Sequence, residues 1–228
     1  MNASMDQVPL RERTVGEIAA AMPGATEVFR RFKLDFCCGG DVKLDTATRD
    51  KGIDLAEVVR ALNTIEESAS AVPASLETAE LIDHILTRYH ATHRREMPEL
   101  INLARKVEAV HAEHPAVPRG MAELLREMLG ELEVHMKKEE LILFPAMRRR
   151  SQGGLDTPIA QMRHDHDDHG EHLHKLESLT GNFVLPDGAC RSWQALYAGG
   201  AKLASDLMEH IHLENNVLFP RYEDAAQA

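Results

Sequence analysis

The sequence contains one short pattern twice, and this repeat is the strongest constraint on the fold of the chain. Both copies read His-x-x-x-Glu-x-x-x-Leu-Phe-Pro, over residues 135–145 and 210–220. On an α-helix this spacing places the histidine and the glutamate on one face, roughly 6 Å apart along the axis. An imidazole and a carboxylate that are presented twice in this way predict two halves of a metal site.

A second pair of segments extends the repeat toward the N-terminus. Residues 89–93 align with residues 165–169, and the second position of each segment is a histidine. Each of these histidines precedes the His-x-x-x-Glu of its own half by the same distance, to within one residue. The sequence therefore predicts two helical hairpins of one design, joined about a pseudo-twofold axis. Their ligand set for two metals, bridged by the carboxylates, is His90, His135, Glu139, His166, His210 and Glu214.

The donor types in this set restrict the metal. Nitrogen and oxygen ligands without thiolate suit iron, manganese or zinc rather than Cu(I) or an iron–sulfur cluster. Bridging carboxylates let two ions change oxidation state together, from which zinc would gain little. Ferritin-like sites use carboxylate-rich Glu-x-x-His motifs, and the spacing here fits them poorly. The alternative is that Leu-Phe-Pro recurs only because it packs a core.

The rest of the sequence predicts an all-α protein with two domains. No run alternates with a period of two over strand length. Four short helices are predicted over residues 1–67, the first capped by Thr14, and a linker of low charge and bulk over residues 68–77. An antiparallel four-helix bundle is predicted over residues 78–224. Its helices are expected near residues 76–110, 119–148, 157–180 and 189–222.

Composition excludes several classes of partner. The net charge of −11 and the pI of about 5.6 argue against nucleic acid or an anionic membrane surface as partner. No apolar run reaches the roughly 18 residues of a membrane span, and no signal-peptide core is found at the N-terminus. Three cysteines make no disulfide framework. A cytoplasmic location is therefore expected.

The remaining histidines are expected to lie outside the ligand set. His84 has no counterpart in the second half and is expected to be an ordinary helix histidine. His93 and His169 match each other but are rotated off the ligand face, so we expect them around the site or at the surface. The others are expected to be solvated: His111, His114, His164, His172, His174 and His212.

The repeat resembles the haemerythrin-like domain over about residues 78–222. Haemerythrin proper has a His-x-x-x-His pair in its third helix, whose extra imidazole leaves one iron open to O₂. Here the positions four before and four after His166 are Met162 and Gly170. The resemblance therefore implies a di-iron bundle without the ligand set of a reversible oxygen carrier.

The segment Asp35–Gly40, which reads DFCCGG, extends the resemblance to nearly the whole chain. It is similar to the paired-cysteine signature that precedes a haemerythrin-like domain in the iron–sulfur cluster repair di-iron proteins (the RIC, or YtfE/ScdA, family). The resemblance implies repair of clusters damaged by oxidants or nitric oxide, with damaged iron–sulfur proteins as clients. It also implies a non-haem centre of two irons, oxo- and carboxylate-bridged, on the six residues above. Glu131 and Asp165 match acidic positions around the family's ligands.

The sequence leads to two further hypotheses, one on the role of the paired cysteines and one on alternative functions of the chain. Cys37 and Cys38 are predicted to relay iron or a nitrosyl group, and the Gly-Gly turn beside them predicts that they are exposed. A buried, inert turn is the alternative. One rival is a sensor of O₂, nitric oxide or iron, and the other is a di-iron enzyme that reduces nitric oxide or peroxide. The chain is also a candidate for a homodimer.

Overall fold

The computed structural model describes residues 8–65, 76–149 and 154–223. Within these ranges the backbone forms helices and no strand, which confirms the all-α prediction. The chain divides into two compact units. Unit I contains the described residues up to Leu81 and those from Met208 onward, and unit II is Ile82–Leu207.

The helices match the predicted segments to within a few residues. Those of the N-terminal segment are α1 (Val15–Ala21), α2 (Ala25–Arg31), α3 (Leu44–Asp50) and α4 (Leu55–Asn63). Those that follow are α5 (Thr78–His84), α6 (Ala91–Val110), α7 (Met121–Lys138), α8 (Phe144–Arg148), α9 (Asp156–Thr180), α10 (Arg191–His212) and α11 (Pro220–Glu223). None of these helices is both long enough and apolar enough to span a membrane.

Local chemistry explains where the first helices begin. The Thr14 hydroxyl accepts a hydrogen bond from the Glu17 N–H at 3.1 Å, and the Glu17 carboxylate accepts one from the Thr14 N–H at 2.9 Å. This reciprocal capping box is the one that the sequence predicts. At the start of α4 the Asp54 carboxylate accepts a hydrogen bond from the Ala56 N–H at 2.9 Å.

Unit I has an apolar core of its own. Ile18, Phe29, Phe36 and Leu44 are fully buried in it, and Met208 packs against them from the C-terminal segment. Each side chain of this size that leaves water contributes roughly 1.5–3 kcal/mol. The core therefore includes residues from both ends of the chain.

Two glycines allow close backbone approach in unit I. The Gly16 N–H donates to the Gly40 carbonyl at 2.7 Å, and the amide side chain of Asn216 lies against both residues. A Cβ at Gly40 would lie 2.9 Å from Asn216 Oδ1 and 2.9 Å from the Phe36 carbonyl oxygen. The second glycine of the DFCCGG segment is therefore required by packing.

Unit II packs helices along apolar stripes. On α7 the buried residues Leu125, Met128, Leu132 and Met136 recur at helical spacing. The helix contacts α6 on one side and α9 on the other. This packing orients one face of α7, which also carries His135, toward the interior.

In the described part of the chain three π-helical segments interrupt the α-helices, and the sequence patterns did not predict them. They are π1 (Ile85–His90), π2 (Glu139–Leu143) and π3 (Leu213–Leu218). The Phe144 N–H bonds the Glu139 carbonyl, and the Phe219 N–H bonds the Glu214 carbonyl at 2.9 Å. A proline follows each phenylalanine, and it lacks the N–H that would continue an α-helical ladder. Wide turns of this kind occur mostly at functional sites.

The predicted linker, residues 68–77, lies largely outside the described residues. The second copy of the repeat, from His210 onward, falls in unit I, whereas the first copy falls in unit II. The predicted domain limits, residues 1–67 and 78–224, stay predictions.

Candidate metal centre

In unit II the carboxylate of Glu139 faces two imidazoles. The His90 Nε2 lies 3.4 Å from Glu139 Oε2, and the His135 Nε2 lies 3.4 Å from Glu139 Oε1. All three side chains are at most 2% exposed. π1 supplies the first histidine, α7 the second, and π2 begins at the glutamate.

His166 on α9 adds a third imidazole to this group. Its Nε2 lies 3.1 Å from the His135 Nε2, and the residue is fully buried. Its donor atom and those of His135 and Glu139 all lie within 4.8 Å of one another. The structure thus brings together four of the six predicted ligands within unit II.

The outer nitrogen of His90 is held by a carboxylate. The His90 Nδ1 lies 2.8 Å from Glu140 Oε1, and Arg94 donates to the same oxygen at 2.7 Å. Burial alone would raise the pKa of Glu140, but the hydrogen bonds from Arg94 and His90 outweigh it and lower that pKa. An ionised Glu140 fixes the proton of His90 on Nδ1, which leaves the lone pair on Nε2 directed at Glu139.

Asp165 holds His135 in the same way. Its Oδ2 lies 3.3 Å from the His135 Nδ1 and accepts a hydrogen bond from the Lys138 Nζ at 2.7 Å. The hydrogen bond with His135 is the main reason why the pKa of Asp165 lies far below its usual range, and Lys138 and Gln161 add to it. A carboxylate behind a metal-binding imidazole raises the ligand's basicity and fixes its tautomer.

Unit I contains the other predicted His–Glu pair. The His210 Nε2 lies 3.1 Å from Glu214 Oε1, and both side chains are at most 1% exposed. His210 belongs to α10, and Glu214 belongs to π3. The pair therefore repeats, inside unit I, the relation between His135 and Glu139 in unit II.

The donor chemistry fits a transition-metal ion. Two ligands that each lie about 2.1 Å from one ion are roughly 3.0–3.4 Å apart, which matches the nitrogen–nitrogen and nitrogen–oxygen distances above. Glu139 and Glu214 are fully buried, where an isolated carboxylate is costly and a metal ion offsets the charge. Imidazole and carboxylate without thiolate suit iron, manganese or zinc.

The paired cysteines lie in a tight turn of unit I. Asp35 Oδ1 accepts hydrogen bonds from the backbone N–H groups of Cys37 and Cys38, both at 3.0 Å. The two sulfur atoms are 3.6 Å apart, and Cys37 Sγ lies 3.4 Å from Asp35 Oδ1. The contact with Cys38 and burial raise the pKa of the Cys37 thiol well above its ordinary value.

The structure corrects three sequence predictions of exposure. Cys37 is only 5% exposed, because its turn folds onto the unit I core, whereas Cys38 is half-buried.

His172 and His212 are buried rather than solvated. Burial lowers the pKa of His212, whose ring packs edge-on against Phe36. His93 and His169 are buried too, which excludes the surface alternative for them.

One residue around the site was missed by the sequence reasoning. Glu140 contacts His90 across 50 positions of the chain, so no local pattern indicates it. The sequence indicates Glu140 only by its position directly after the predicted ligand Glu139. The predicted acidic residues Asp165 and Glu131 contact His135 and His172 respectively.

An all-α chain with buried histidines around glutamates defines a class, the helical metal-binding proteins with His–Glu sites. The chain matches the family described as Hemerythrin HHE cation binding domain over residues 81–222, which include all six predicted ligands. Residues 11–66 match a second family, described as a domain of unknown function (DUF542).

Several named proteins match this chain over most of its length. A protein of Musicola paradisiaca named iron-sulfur cluster repair protein YtfE is 44% identical over 217 residues, covering 92% of this chain and 96% of the relative. Proteins with the same name from Pectobacterium atrosepticum and Escherichia coli O157:H7 are 43% and 44% identical over 213 residues, with the same coverage. The chain therefore belongs to the iron–sulfur cluster repair protein family of the YtfE type, and it contains a haemerythrin-like domain.

Proposed function

We propose that this protein repairs iron–sulfur clusters damaged by oxidants or nitric oxide, by holding iron and donating it to the damaged cluster. The observation that carries the proposal is the buried group of His90, His135, Glu139 and His166, in a chain whose relatives are named as repair proteins. Those names favour repair over the sensor and reductase alternatives. Iron is here the cargo, and damaged iron–sulfur proteins in the cytoplasm are its recipients.

In this proposal two iron ions are held by six residues, with Glu139 and Glu214 as bridges. Two findings support the set. The family match includes every member of it, and each half contains a buried His–Glu pair with donor atoms 3.1–3.4 Å apart. When bound, the two iron ions would be a cargo that can be released and a pair of metals that can change oxidation state.

The protein's own groups would control that iron through the outer nitrogens of its ligands. Glu140 and Asp165 keep the protons of His90 and His135 on Nδ1, so that Nε2 is the nitrogen that would bind an ion. Arg94 and Lys138 keep those carboxylates ionised.

The paired cysteines are proposed to pass iron or a nitrosyl group between the site and a client. Of the two, the half-buried Cys38 is the better candidate for contact with a client. The pKa of Cys37 is raised, so its thiol stays protonated and is a poor nucleophile at neutral pH.

Metal analysis followed by transfer tests the proposal. Protein purified without added metal should contain about two irons per chain; one zinc would contradict it. The iron-loaded protein is then mixed with an oxidant-inactivated [4Fe–4S] dehydratase in the presence of a reductant. Recovery of dehydratase activity above that given by the same amount of chelated Fe²⁺ is expected. Equal recovery in both samples would contradict a repair role.

A further inference from the structure

A second cluster of metal-ligating side chains lies between α7 and α9 of unit II. Glu131 on α7 and His169 and His172 on α9 each offer one ligand atom, and these atoms all lie within 4.8 Å of one another. The two histidines are three residues apart and therefore share a face of α9. They are 4% and 7% exposed, whereas Glu131 is exposed to solvent.

The buried nitrogen of His172 indicates a missing partner. Its Nδ1 makes no hydrogen bond to any residue that the structure describes. It lies 3.3 Å from Glu131 Oε2, a separation typical of two ligands of one ion. A buried polar atom without a hydrogen bond costs roughly 1–3 kcal/mol, and a cation between the two atoms would remove this cost.

The cluster borders a cleft on the surface of unit II. The cleft has a volume of about 480 Å³, and Glu131 and His169 line it together with His135 and Asp165. The ring of His169 packs edge-on against the ring of His135, with centroids 5.2 Å apart. An ion that entered this cleft would therefore meet the cluster beside a predicted iron ligand.

We propose that Glu131, His169 and His172 form an auxiliary site for one divalent cation, separate from the six predicted iron ligands. Two imidazoles and one carboxylate, with further positions open to the cleft, suit Fe²⁺, Zn²⁺ or Mn²⁺. The repeat does not predict this site, because Glu131 and His172 come from different helices and a glutamate, Glu96, stands at the position that matches His172 in the first half.

The position of the site gives it a role that rests on the proposed function. Glu131 and His169 line the same cleft as His135, so an iron ion bound at the site would lie beside His135. The site would therefore hold iron on its way into or out of the main centre. Asp165 is not part of the auxiliary set, because it is already engaged by His135 and Lys138. Loss of the auxiliary site should therefore slow exchange of iron and leave the amount bound at the main centre unchanged.

Titration of the full-length, iron-loaded protein with Co²⁺ tests the site. Equilibrium dialysis and the visible d–d absorption of Co²⁺ should report one ion per chain beyond the iron. The variants Glu131→Gln and His172→Gln should each weaken this binding by about tenfold or more. Glu123→Gln, an exposed carboxylate on α7 that does not line the cleft, and His174→Gln, an exposed imidazole on α9, serve as controls and should bind Co²⁺ like the parent protein.

The outcomes separate this proposal from the proposed function. Absence of a bound Co²⁺ in protein that retains its iron, or equal affinity in all four variants, would overturn the auxiliary site alone. Absence of iron from the parent protein would instead count against the main centre. Glu131 is exposed, so the Glu131→Gln variant tests the site even if His172→Gln fails to fold, which circular dichroism would reveal.

Discussion

The side-chain amide of Asn215 donates a hydrogen bond to the backbone carbonyl of Cys37, with nitrogen and oxygen 3.0 Å apart. Both residues belong to unit I, and the next residue, Asn216, makes the same kind of bond to the Phe36 carbonyl at 3.0 Å. Asn215 directly follows the predicted ligand Glu214. The turn that carries the paired cysteines is thus anchored to π3, beside a predicted metal ligand.

This anchor predicts a stability effect. Asn216→Ala removes the hydrogen bond to the Phe36 carbonyl and the contact with the His212 Nδ1. The free energy of unfolding should fall by about 1–3 kcal/mol. Urea titration followed by circular dichroism measures it. Asn63→Ala, at an exposed position, is the control and should change little.

The proposed bridges predict a disproportionate loss of iron. Glu139→Ala or Glu214→Ala should remove a ligand shared by both ions, so iron per chain should fall by more than one ion's share. His84→Ala should retain the parent iron content. Iron analysis by emission spectroscopy checks this, and full loading of both glutamate variants would show that neither residue is a bridge.

Glu140 and Asp165, which contact the outer nitrogens of the His90 and His135 rings, predict a partial loss of iron affinity when they are replaced. Asp165→Asn and Glu140→Gln leave the histidines in place but weaken the hydrogen bonds that orient them. Iron affinity should fall by roughly 10–100-fold, as measured by competition with a chelator. Asp167→Asn, an exposed neighbour on α9, should have the parent affinity. Unchanged affinity in Asp165→Asn would show that this carboxylate does not orient His135 for iron binding.

The unequal environments of the two cysteines predict unequal roles. Cys38→Ser should lose cluster repair and retain its iron, because the predicted ligands are histidines and glutamates. In a Cys190→Ser background, iodoacetamide should modify Cys38 faster than Cys37, which is buried and has a raised pKa. Mass spectrometry of peptides reads out the rates. Repair at the parent rate by a Cys37→Ala, Cys38→Ala variant would show that both thiols only pack within the turn and do not act in repair.

An ion-pair network in unit II predicts the response to acid. Asp206 accepts hydrogen bonds from Arg88 at 2.6 Å and Lys202 at 2.8 Å. Burial alone would raise the pKa of Asp206, but these bonds outweigh it and lower the pKa. A lowered carboxyl pKa stabilises the fold above the unfolded-state pKa of about 3.9, and this stabilisation is lost as the pH falls further.

The test compares Asp206→Asn with the parent protein at two pH values. At pH 7 the variant should be less stable by about 1–3 kcal/mol, and near pH 3 the difference should shrink. Urea unfolding at both values measures it, with Asp187→Asn, an exposed aspartate, as the control. An equal difference at both pH values would show that the ionisation of Asp206 does not stabilise the fold.

Local signals in the sequence were enough for the helices. The predicted capping box at Thr14 depends on two residues three positions apart, and the structure has it. The His-x-x-x-Glu spacing likewise predicts two buried His–Glu pairs, which the structure contains in units I and II. The π-turns at Glu139 and Glu214 were missed, although the prolines that follow them were visible.

The sequence by itself determined the helical class, the helix starts and the repeated His–Glu pairs, because these depend on spacing along one helix or one turn. Only the tertiary structure decided what surrounds each pair. Glu140 reaches His90 across 50 positions, and Asp165 reaches His135 across 30. Burial of Cys37 and His172 depends in the same way on which helix packs over them. Such contacts produce no periodic pattern in the sequence, because folding brings together residues that are far apart in the chain.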